Sequence, residues 1–445
     1  MHRTCFIAAT ALLLGDVRAG PAPMTMLTVA QRDRVRSPAS PPSVSVSGDG
    51  RLVAFASYER LSPADQDELA DIYVLEHDTG TVTLESVSAD GAALRSDCIY
   101  PRLSQDGRYL VFEAALLLSP TAPAHAAVIF RDRVTDSTRR VSIGPGGQPA
   151  NGWSGGAALS DDGAVVVFES SATNLVPGAD ANGPRSDIYL VQTRTMQTTR
   201  ISVDSQGVQS AEGASISPSL SGDGRQVAFI STAPLADRAG PDGRTRAATS
   251  SSAHRGIYLR DTQRQVTRRL RPPPAGGVQD DSSRPVISRD GAYVAYVSSV
   301  SSLVDGDQNR SPDVFLADVA TGSVTLVSRT PAGRPANGVS GSPSISRDGR
   351  FVAFQSNASN FVCAQRCEPD DEDINLVPDV FLFDRVTGRI TWVSVGAAGG
   401  WMEESVAPVL DAAGLVLAFT SRHPIDELDT AHDFDLFVRV TAPER

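Results

Sequence analysis

Acidic and amide side chains recur at nearly one spacing in four loops, each just before an apolar run. Alternate oxygen ligands in a short loop, followed by another carboxylate, are how a chain surrounds a hard cation such as calcium. These loops lack the glycine and the distal glutamate of helical calcium loops, and Asp and Asn also form Asx turns. Two interpretations therefore stay open: calcium sites, or turns whose last Asp fixes the end of the loop. The residues are Asp65, Asp67 and Asp71; Asp180, Asn182 and Asp187; Asp307, Asn309 and Asp313; and Asp373, Asn375 and Asp379.

Cysteine and tryptophan residues form a second set of candidates. Cys363 and Cys367 lie four residues apart in a polar insertion. In an oxidising compartment this spacing predicts a local disulfide, whereas a zinc site would need two further ligands. Trp153 and Trp401 lie in loops between repeats. Exposed aromatic side chains in such loops stack on sugars or anchor protein partners, and packing between neighbouring repeats is the alternative. The histidines are scattered, so we assign no catalytic residue and no cofactor other than calcium.

The composition is that of an acidic globular protein. The chain has 445 residues, with 40 basic and 52 acidic side chains and a formal net charge of −12. Nucleic acids and anionic membranes require a basic surface, so this charge argues against both as partners. Residues 1–19 combine a short positive start, an apolar stretch and a small-residue cleavage site, which predicts a signal peptide. No later stretch approaches the roughly 20 apolar residues that span a membrane, so we expect a periplasmic or secreted protein.

The elements that position these residues are repeated seven times. The phrase Ser-x-Asp-Gly precedes an apolar run six times, and a degenerate copy ends in Gly414. Successive glycines of the phrase are 57, 56, 61, 67, 58 and 65 residues apart. Asp-Gly between two apolar runs indicates a hairpin, because glycine adopts the positive φ that tight hairpin turns require. A third run such as Asp187-Ile-Tyr-Leu, and a fourth after a turn such as Thr321-Gly322, complete a repeat of four predicted strands.

Four-stranded units repeated around an axis form a β-propeller. We therefore predict an all-β chain that folds as a single seven-bladed propeller over residues 20–445. The seventh copy has three strands, and residues 25–30 resemble a missing fourth strand. This N-terminal strand is expected to complete the last blade and remove an open sheet edge. Six blades followed by an abortive copy is the alternative. The predicted blades begin near residues 43, 100, 156, 217, 284, 342 and 407.

The repeated residues resemble those of a known family. The pattern Ser-x-Asp-Gly-Arg-x-Val-Ala-Phe, followed by Asp-[Ile/Val]-[Tyr/Phe]-[Leu/Val], is similar to the TolB-type, WD40-like propeller repeats of bacteria over residues 25–440. The resemblance implies the fold and leaves the function open. In the periplasmic protein that names the group, an α/β domain precedes the propeller, whereas only the leader precedes it here. Loops such as residues 174–180 make the chain more similar to stand-alone secreted propellers.

The expected function follows from the loops. In a four-stranded blade, the second-to-third and the fourth-to-next-first connections emerge on one face of the propeller. That face would carry the acidic loops and the longer linkers, and binding residues concentrate on such loops. We therefore expect a monomeric scaffold that binds a protein or carbohydrate ligand there, without catalysis. The alternatives are a calcium-binding surface protein, or a carbohydrate-active enzyme with paired carboxylates at the channel mouth.

Overall fold

The computed structural model describes most of the repeated region. The described residues are 24–25, 43–116, 125–235, 255–271, 280–361, 377–395, 402–423 and 434–440. The predicted signal peptide, residues 1–19, lies outside them. So do five of the candidate site residues: Cys363, Cys367, Asp373, Asn375 and Trp401.

The described residues form seven antiparallel sheets of four strands each, which confirms the seven-bladed propeller. Strand β1 is Met24–Thr25. Blade 1 contains β2 (Val44–Val46), β3 (Leu52–Ser57), β4 (Asp71–Glu76) and β5 (Thr81–Leu84). Blade 2 contains β6 (Cys98–Leu103), β7 (Tyr109–Leu116), β8 (His125–Asp132) and β9 (Ser137–Arg140). Blade 3 contains β10 (Ser154–Leu159), β11 (Val165–Ser170), β12 (Asp187–Gln192) and β13 (Gln197–Arg200).

The remaining blades repeat this order. Blade 4 contains β14 (Ser215–Leu220), β15 (Gln226–Ser231), β16 (Gly256–Asp261) and β17 (Val266–Arg269). Blade 5 contains β18 (Ser283–Ile287), β19 (Tyr293–Ser298), β20 (Asp313–Asp318) and β21 (Val324–Leu326). Blade 6 contains β22 (Ser340–Ile345), β23 (Phe351–Ser356), β24 (Asp379–Asp384) and β25 (Ile390–Trp392). Blade 7 contains β26 (Ser405–Leu410), β27 (Val416–Ser421) and β28 (Asp435–Val440), with β1 as its outer strand.

Helical structure is confined to short turns in the part of the chain that the structure describes. Pro145–Gly147 and Ser301–Leu303 are single turns of 3-10 helix. Within the same residues, no helix has the length and apolar character needed to cross a membrane.

The repeated aromatic residues form the core between the blades. In blade 1, Phe55 of the second strand lies opposite Tyr73 of the third strand, and their rings stack. Six blades contain such a pair, with ring centroids 5.5 to 6.1 Å apart. Each pair adds about 0.5–1.5 kcal/mol to the stabilisation that burial provides. The second and third strands are apolar on both faces because each sheet is covered by a neighbouring blade on either side.

The Asp-Gly phrases form the predicted hairpin turns. In blade 1, the Ser47 hydroxyl donates to Asp49 Oδ1 (2.6 Å) and accepts from the backbone N–H of Leu52 (3.0 Å). Gly50 has a φ of 77°, which a residue with a Cβ adopts only at a cost. These turns form the face of the propeller opposite the acidic loops, which we call the turn face.

The ring of blades is closed by contacts at the axis, on the turn face and at the outer edge. The first strands of neighbouring blades contact one another around the axis, and β2 of blade 1 contacts β26 of blade 7. On the turn face, backbone N–H groups donate to the next blade, as from Arg347 to Ala412 (2.8 Å) and from Ala412 to Gly48 (3.2 Å). At the outer edge, Met24 pairs with Arg439 and Thr25 with Val438. The N-terminal strand therefore completes the last blade.

Candidate functional site

The acidic loops lie on the face opposite the Asp-Gly turns, which we call the loop face. An aspartate begins the third strand in blades 1, 3, 5 and 6, and its side chain is buried. In blade 3, the Ser202 hydroxyl donates to Asp187 Oδ1 (2.6 Å) and accepts from the backbone N–H of Ile188 (3.1 Å). This aspartate therefore joins the third strand to the end of the fourth. The same arrangement links Asp71 to Ser86, Asp313 to Ser328 and Asp379 to Ser394.

The predicted carboxylate cluster of blade 3 is filled by side chains of the same blade. The Gln209 amide nitrogen lies 2.7 Å from Asp180 Oδ1 and 2.8 Å from both Asn182 Oδ1 and Asp187 Oδ2. The Arg200 guanidinium lies 3.1 Å from Asp180 Oδ2 and 3.3 Å from Asp187 Oδ2. A fixed cation and an amide thus occupy the space between the carboxylates. The spacing of the loop predicted the three oxygen donors but gave no sign of Arg200 and Gln209.

The cluster of blade 1 contains only acidic groups. The structure brings carboxylate oxygens of Asp65, Asp67 and Asp71 to within 4.8 Å of one another, as the spacing predicted. The Tyr73 hydroxyl donates to Asp65 Oδ2 (2.6 Å), and Asp67 Oδ1 accepts from the backbone N–H of Leu69 (2.9 Å). Burial, with a smaller contribution from the neighbouring carboxylates, raises the pKa of Asp71 to about 7, against the hydrogen bond from Ser86.

The cluster of blade 5 is intermediate between these two. The Asn309 amide donates to Asp313 Oδ2 (2.7 Å) and to the backbone carbonyl of Ala336 (2.8 Å). Burial raises the pKa of Asp313 to about 6. Asp307 is also buried. In blade 6, the structure describes only Asp379 of the predicted group.

The first strands carry arginines toward the propeller axis. On the turn face, Arg289 of blade 5 and Arg347 of blade 6 reach Asp161 of blade 3, at 3.4 and 3.9 Å. Because blade 3 is not adjacent to blade 6, this contact crosses the axis. Farther from the turns, the side chains of Arg102 and Arg284 reach solvent, Arg102 among surrounding protein that lowers the pKa of its guanidinium by desolvation. Among the described residues, four arginines therefore lie on the first strands or the turns that follow them, although the chain as a whole is acidic.

Two aromatic side chains are exposed toward the loop-face end of the axis, which we call the channel mouth. Trp153 is 36 % exposed and Tyr100 is 39 % exposed. Gly155 lies against both Trp153 and Glu113: a Cβ built on this glycine would be 2.5 Å from Trp153 Cζ2 and 2.5 Å from Glu113 Oε2. The Trp153 ring is therefore close to the Glu113 carboxyl. The predicted binding residue Trp153 therefore lies over the boundary between blades 2 and 3.

Two glutamates, Glu113 buried and Glu169 partly buried, link neighbouring blades behind the mouth. Glu113 of blade 2 accepts from the backbone N–H of Gly156 in blade 3 (2.7 Å), and Glu169 of blade 3 accepts from Ser217 in blade 4 (2.7 Å). Gln355 does the same for Ala407 (3.0 Å). Burial raises the pKa of Glu113 to about 7, and Glu169 contributes to that rise. A neutral Gln performs the same task, so these carboxyls act as acceptors between blades.

Cys98 is the free cysteine of the described residues. Its thiol is buried in the core of blade 2 and lies 3.2 Å from the backbone carbonyl of Ser96. Burial raises the pKa of this thiol well above its usual value, which keeps it protonated and unreactive.

Comparisons with known proteins place the chain in a structural class. No protein-family model and no curated protein matches it. An oligogalacturonate lyase in complex with manganese has a similar structure, with 14 % identity, a TM-score of 0.52, and coverage of 90 % of this chain and 88 % of that one. A prolyl endopeptidase has 13 % identity and a TM-score of 0.52 over 91 % of this chain, which spans half of that enzyme.

The similar structures also include TolB from Acinetobacter baumannii, with 16 % identity and a TM-score of 0.40 over 77 % of this chain and 63 % of that one. The chain is thus a seven-bladed β-propeller. Identities this low establish a shared fold and leave the ligand open.

Proposed function

We propose that the protein is an exported, non-catalytic scaffold that binds an acidic carbohydrate at the channel mouth. The observation that carries the proposal is that partly exposed aromatic rings and exposed arginines both lie on or beside the first strands, with Tyr100 and Arg102 in blade 2, Trp153 at the start of blade 3 and Arg284 in blade 5. Trp153 and Tyr100 offer flat apolar surfaces, on which sugar rings stack. Arg102 and Arg284 offer guanidinium groups, which bind carboxylates with two parallel hydrogen bonds.

The surrounding loops are held in place without a ligand. In blade 3, the Asn174 side chain accepts from the backbone N–H of Asn151 and donates to the backbone carbonyl of Pro149. In blade 6, Asn360 makes the equivalent bonds with Asn337 and Pro335. A surface fixed in this way loses little conformational entropy when it binds. Export is part of the proposal because it depends on the predicted leader.

The hydrogen bonds of the nearby carboxyl groups favour a binding role over the enzyme alternative. Glu113 and Glu169 each accept a backbone hydrogen bond from the next blade, and the exposed fraction of Glu113 is 4 %. A glycosidase needs two carboxyl groups that reach the sugar from opposite sides. Glu113 faces the neighbouring blade instead.

Isothermal titration calorimetry tests the proposal, with oligogalacturonate as the probe. We expect a saturable heat of binding that is lost in Trp153→Ala and weakened in Arg102→Gln. Val339→Ala is the matched control, because Val339 follows Asn-Gly in blade 6 as Trp153 does in blade 3 and is also exposed. A methyl-esterified probe, which lacks the charges, should bind at least about tenfold more weakly, since a charged hydrogen bond is worth roughly 1.5–3 kcal/mol. Equal binding of both probes, or unchanged binding by Trp153→Ala, would refute the proposal.

A further inference from the structure

The carboxylate clusters of blades 1 and 3 lie on strands with the same pairing register. In blade 3, Arg200 lies directly opposite Tyr189 on the neighbouring strand. In blade 1, the residue opposite Tyr73 is Leu84. The position that carries the guanidinium in blade 3 therefore carries an apolar side chain in blade 1.

The Gln209 amide, which lies between the carboxylates of blade 3, also has no counterpart in blade 1. The turn after the fourth strand is closed by a hydrogen bond from Asp204 N to Val208 O (3.0 Å) in blade 3. The equivalent bond in blade 1 runs from Ser88 N to Ala92 O (2.8 Å). The next residue is Gln209 in blade 3 and Ala93 in blade 1. The methyl group of an alanine donates no hydrogen bond to the carboxylates.

The carboxylates of blade 1 thus form no ion pair among the described residues; the Arg60 guanidinium donates instead to the backbone carbonyl of Asp67 (2.6 Å). Asp71 is fully buried, and Asp65 is 4 % exposed. Among the described residues, Asp71 Oδ2 has no hydrogen-bond partner, and no arginine forms an ion pair with Asp65, Asp67 or Asp71. A buried carboxylate oxygen without a partner is costly, and protein structures nearly always satisfy one with a donor or a cation.

We propose that Asp65, Asp67 and Asp71 bind one calcium ion. All the donors are oxygens, which hard divalent cations prefer, and water would complete the coordination shell of calcium. One divalent cation would change the formal charge of the three carboxylates from −3 to −1. The filled cluster of blade 3, with two carboxylates and one guanidinium, has the same formal charge. Calcium in blade 1 would therefore do what Arg200 does in blade 3.

Blade 5 is a weaker candidate for the same reason. It holds two carboxylates, Asp307 and Asp313, and the Asn309 amide already donates to one of them. Asp307 Oδ1 has no partner among the described residues. We therefore place the tightest site in blade 1.

Isothermal titration of the metal-stripped chain with calcium chloride tests the proposal. Asp67→Asn is the main variant, because Asn keeps the oxygen that accepts from Leu69 and Asp67 does not contact the strand-joining Ser86. The heat of the tightest site should disappear, or its affinity should fall by about tenfold or more. Asp180→Asn is the matched control in blade 3, and it should leave the calcium isotherm unchanged.

A second variant tests the same site through its effect on the melting temperature. Leu84→Arg introduces into blade 1 the guanidinium that blade 3 contains. It should raise the melting temperature without calcium and abolish the rise that calcium produces in the unmodified chain. Absence of calcium heat in the unmodified chain, or full retention of that heat in Asp67→Asn, overturns the proposal. Equal loss of heat in Asp67→Asn and Asp180→Asn does so as well, because the effect would then not belong to blade 1.

Discussion

Replacing Glu113 with Gln should remove a specific pH dependence of stability. Burial raises the pKa of this carboxyl from its usual 4.5 to about 7, although the Gly156 N–H and Arg102 favour the charged form. The folded state therefore binds this proton more tightly than the unfolded state. The resulting stabilisation is complete below pH 4.5 and is lost as the pH rises through about 7.

The magnitude follows from the size of this rise. One pKa unit corresponds to about 1.4 kcal/mol, so the free energy of unfolding should fall by about 3 kcal/mol between pH 4 and pH 8 through this group alone. Glu113→Gln is neutral throughout that range and keeps an oxygen for the Gly156 N–H. The difference between the variant and the unmodified chain should therefore grow by about 3 kcal/mol in favour of the variant as the pH rises.

Urea unfolding followed by circular dichroism at several pH values measures this difference. Gln355→Glu provides the reciprocal control, because Gln355 accepts from the Ala407 N–H in the same way (3.0 Å). It should introduce a loss of stability at pH 8 that is absent at pH 4. Parallel pH profiles for Glu113→Gln and the unmodified chain would show that the Glu113 carboxyl is not held neutral. Destabilisation of Glu113→Gln by the same amount at every pH would refute its equivalence to Gln355.

Two further predictions concern the frame of the propeller. Ser328→Ala removes the hydrogen bond to Asp313 (2.6 Å) and the acceptor for the Val314 N–H. The free energy of unfolding, measured by chemical denaturation, should therefore fall by about 1–3 kcal/mol. An unchanged unfolding midpoint would contradict the strand-joining role. Deletion of residues 1–25 would expose the edge of blade 7. We expect a lower melting temperature and more aggregation, measured by light scattering. A truncated chain as stable as the full one would count against closure by β1.

The fold could be predicted because its determinants are local and repeated. The Ser-x-Asp-Gly phrase specifies the hairpin through its own hydrogen bonds, as Ser47 and Asp49 show. The spacing of Asp65, Asp67 and Asp71 likewise places three side chains in one short loop, so their approach could be read from the sequence. Such features need no knowledge of other blades.

The groups that neutralise the clusters could not be predicted in the same way. Arg200 reaches Asp180 and Asp187 from another strand, and Gln209 reaches them from a turn beyond that strand. Strand register shows that Leu84 takes the place of Arg200 in blade 1. The role of Glu113 was equally hidden, because its partner is a backbone N–H in the next blade.

Backbone strain gives an independent reason to regard the channel mouth as the binding site. A β-bulge interrupts the pairing of the first strand in blades 2 to 7. Five of these bulges place a residue other than glycine at a φ between 49° and 55°: Tyr100, Ser217, Arg284, Ser342 and Ala407. Each costs about 1 kcal/mol or more, and such strain concentrates at functional sites.

The bulges perform two tasks that a regular strand would not. They aim a backbone N–H at the preceding blade, where Glu113, Glu169 or Gln355 accepts it. They also place the side chains of Tyr100 and Arg284 at the mouth, where both are exposed. A regular first strand would pair fully with its neighbour and turn alternate side chains away from the axis. The conformation that joins the blades thus also exposes an aromatic ring and a guanidinium, the two groups that the proposed carbohydrate binding requires.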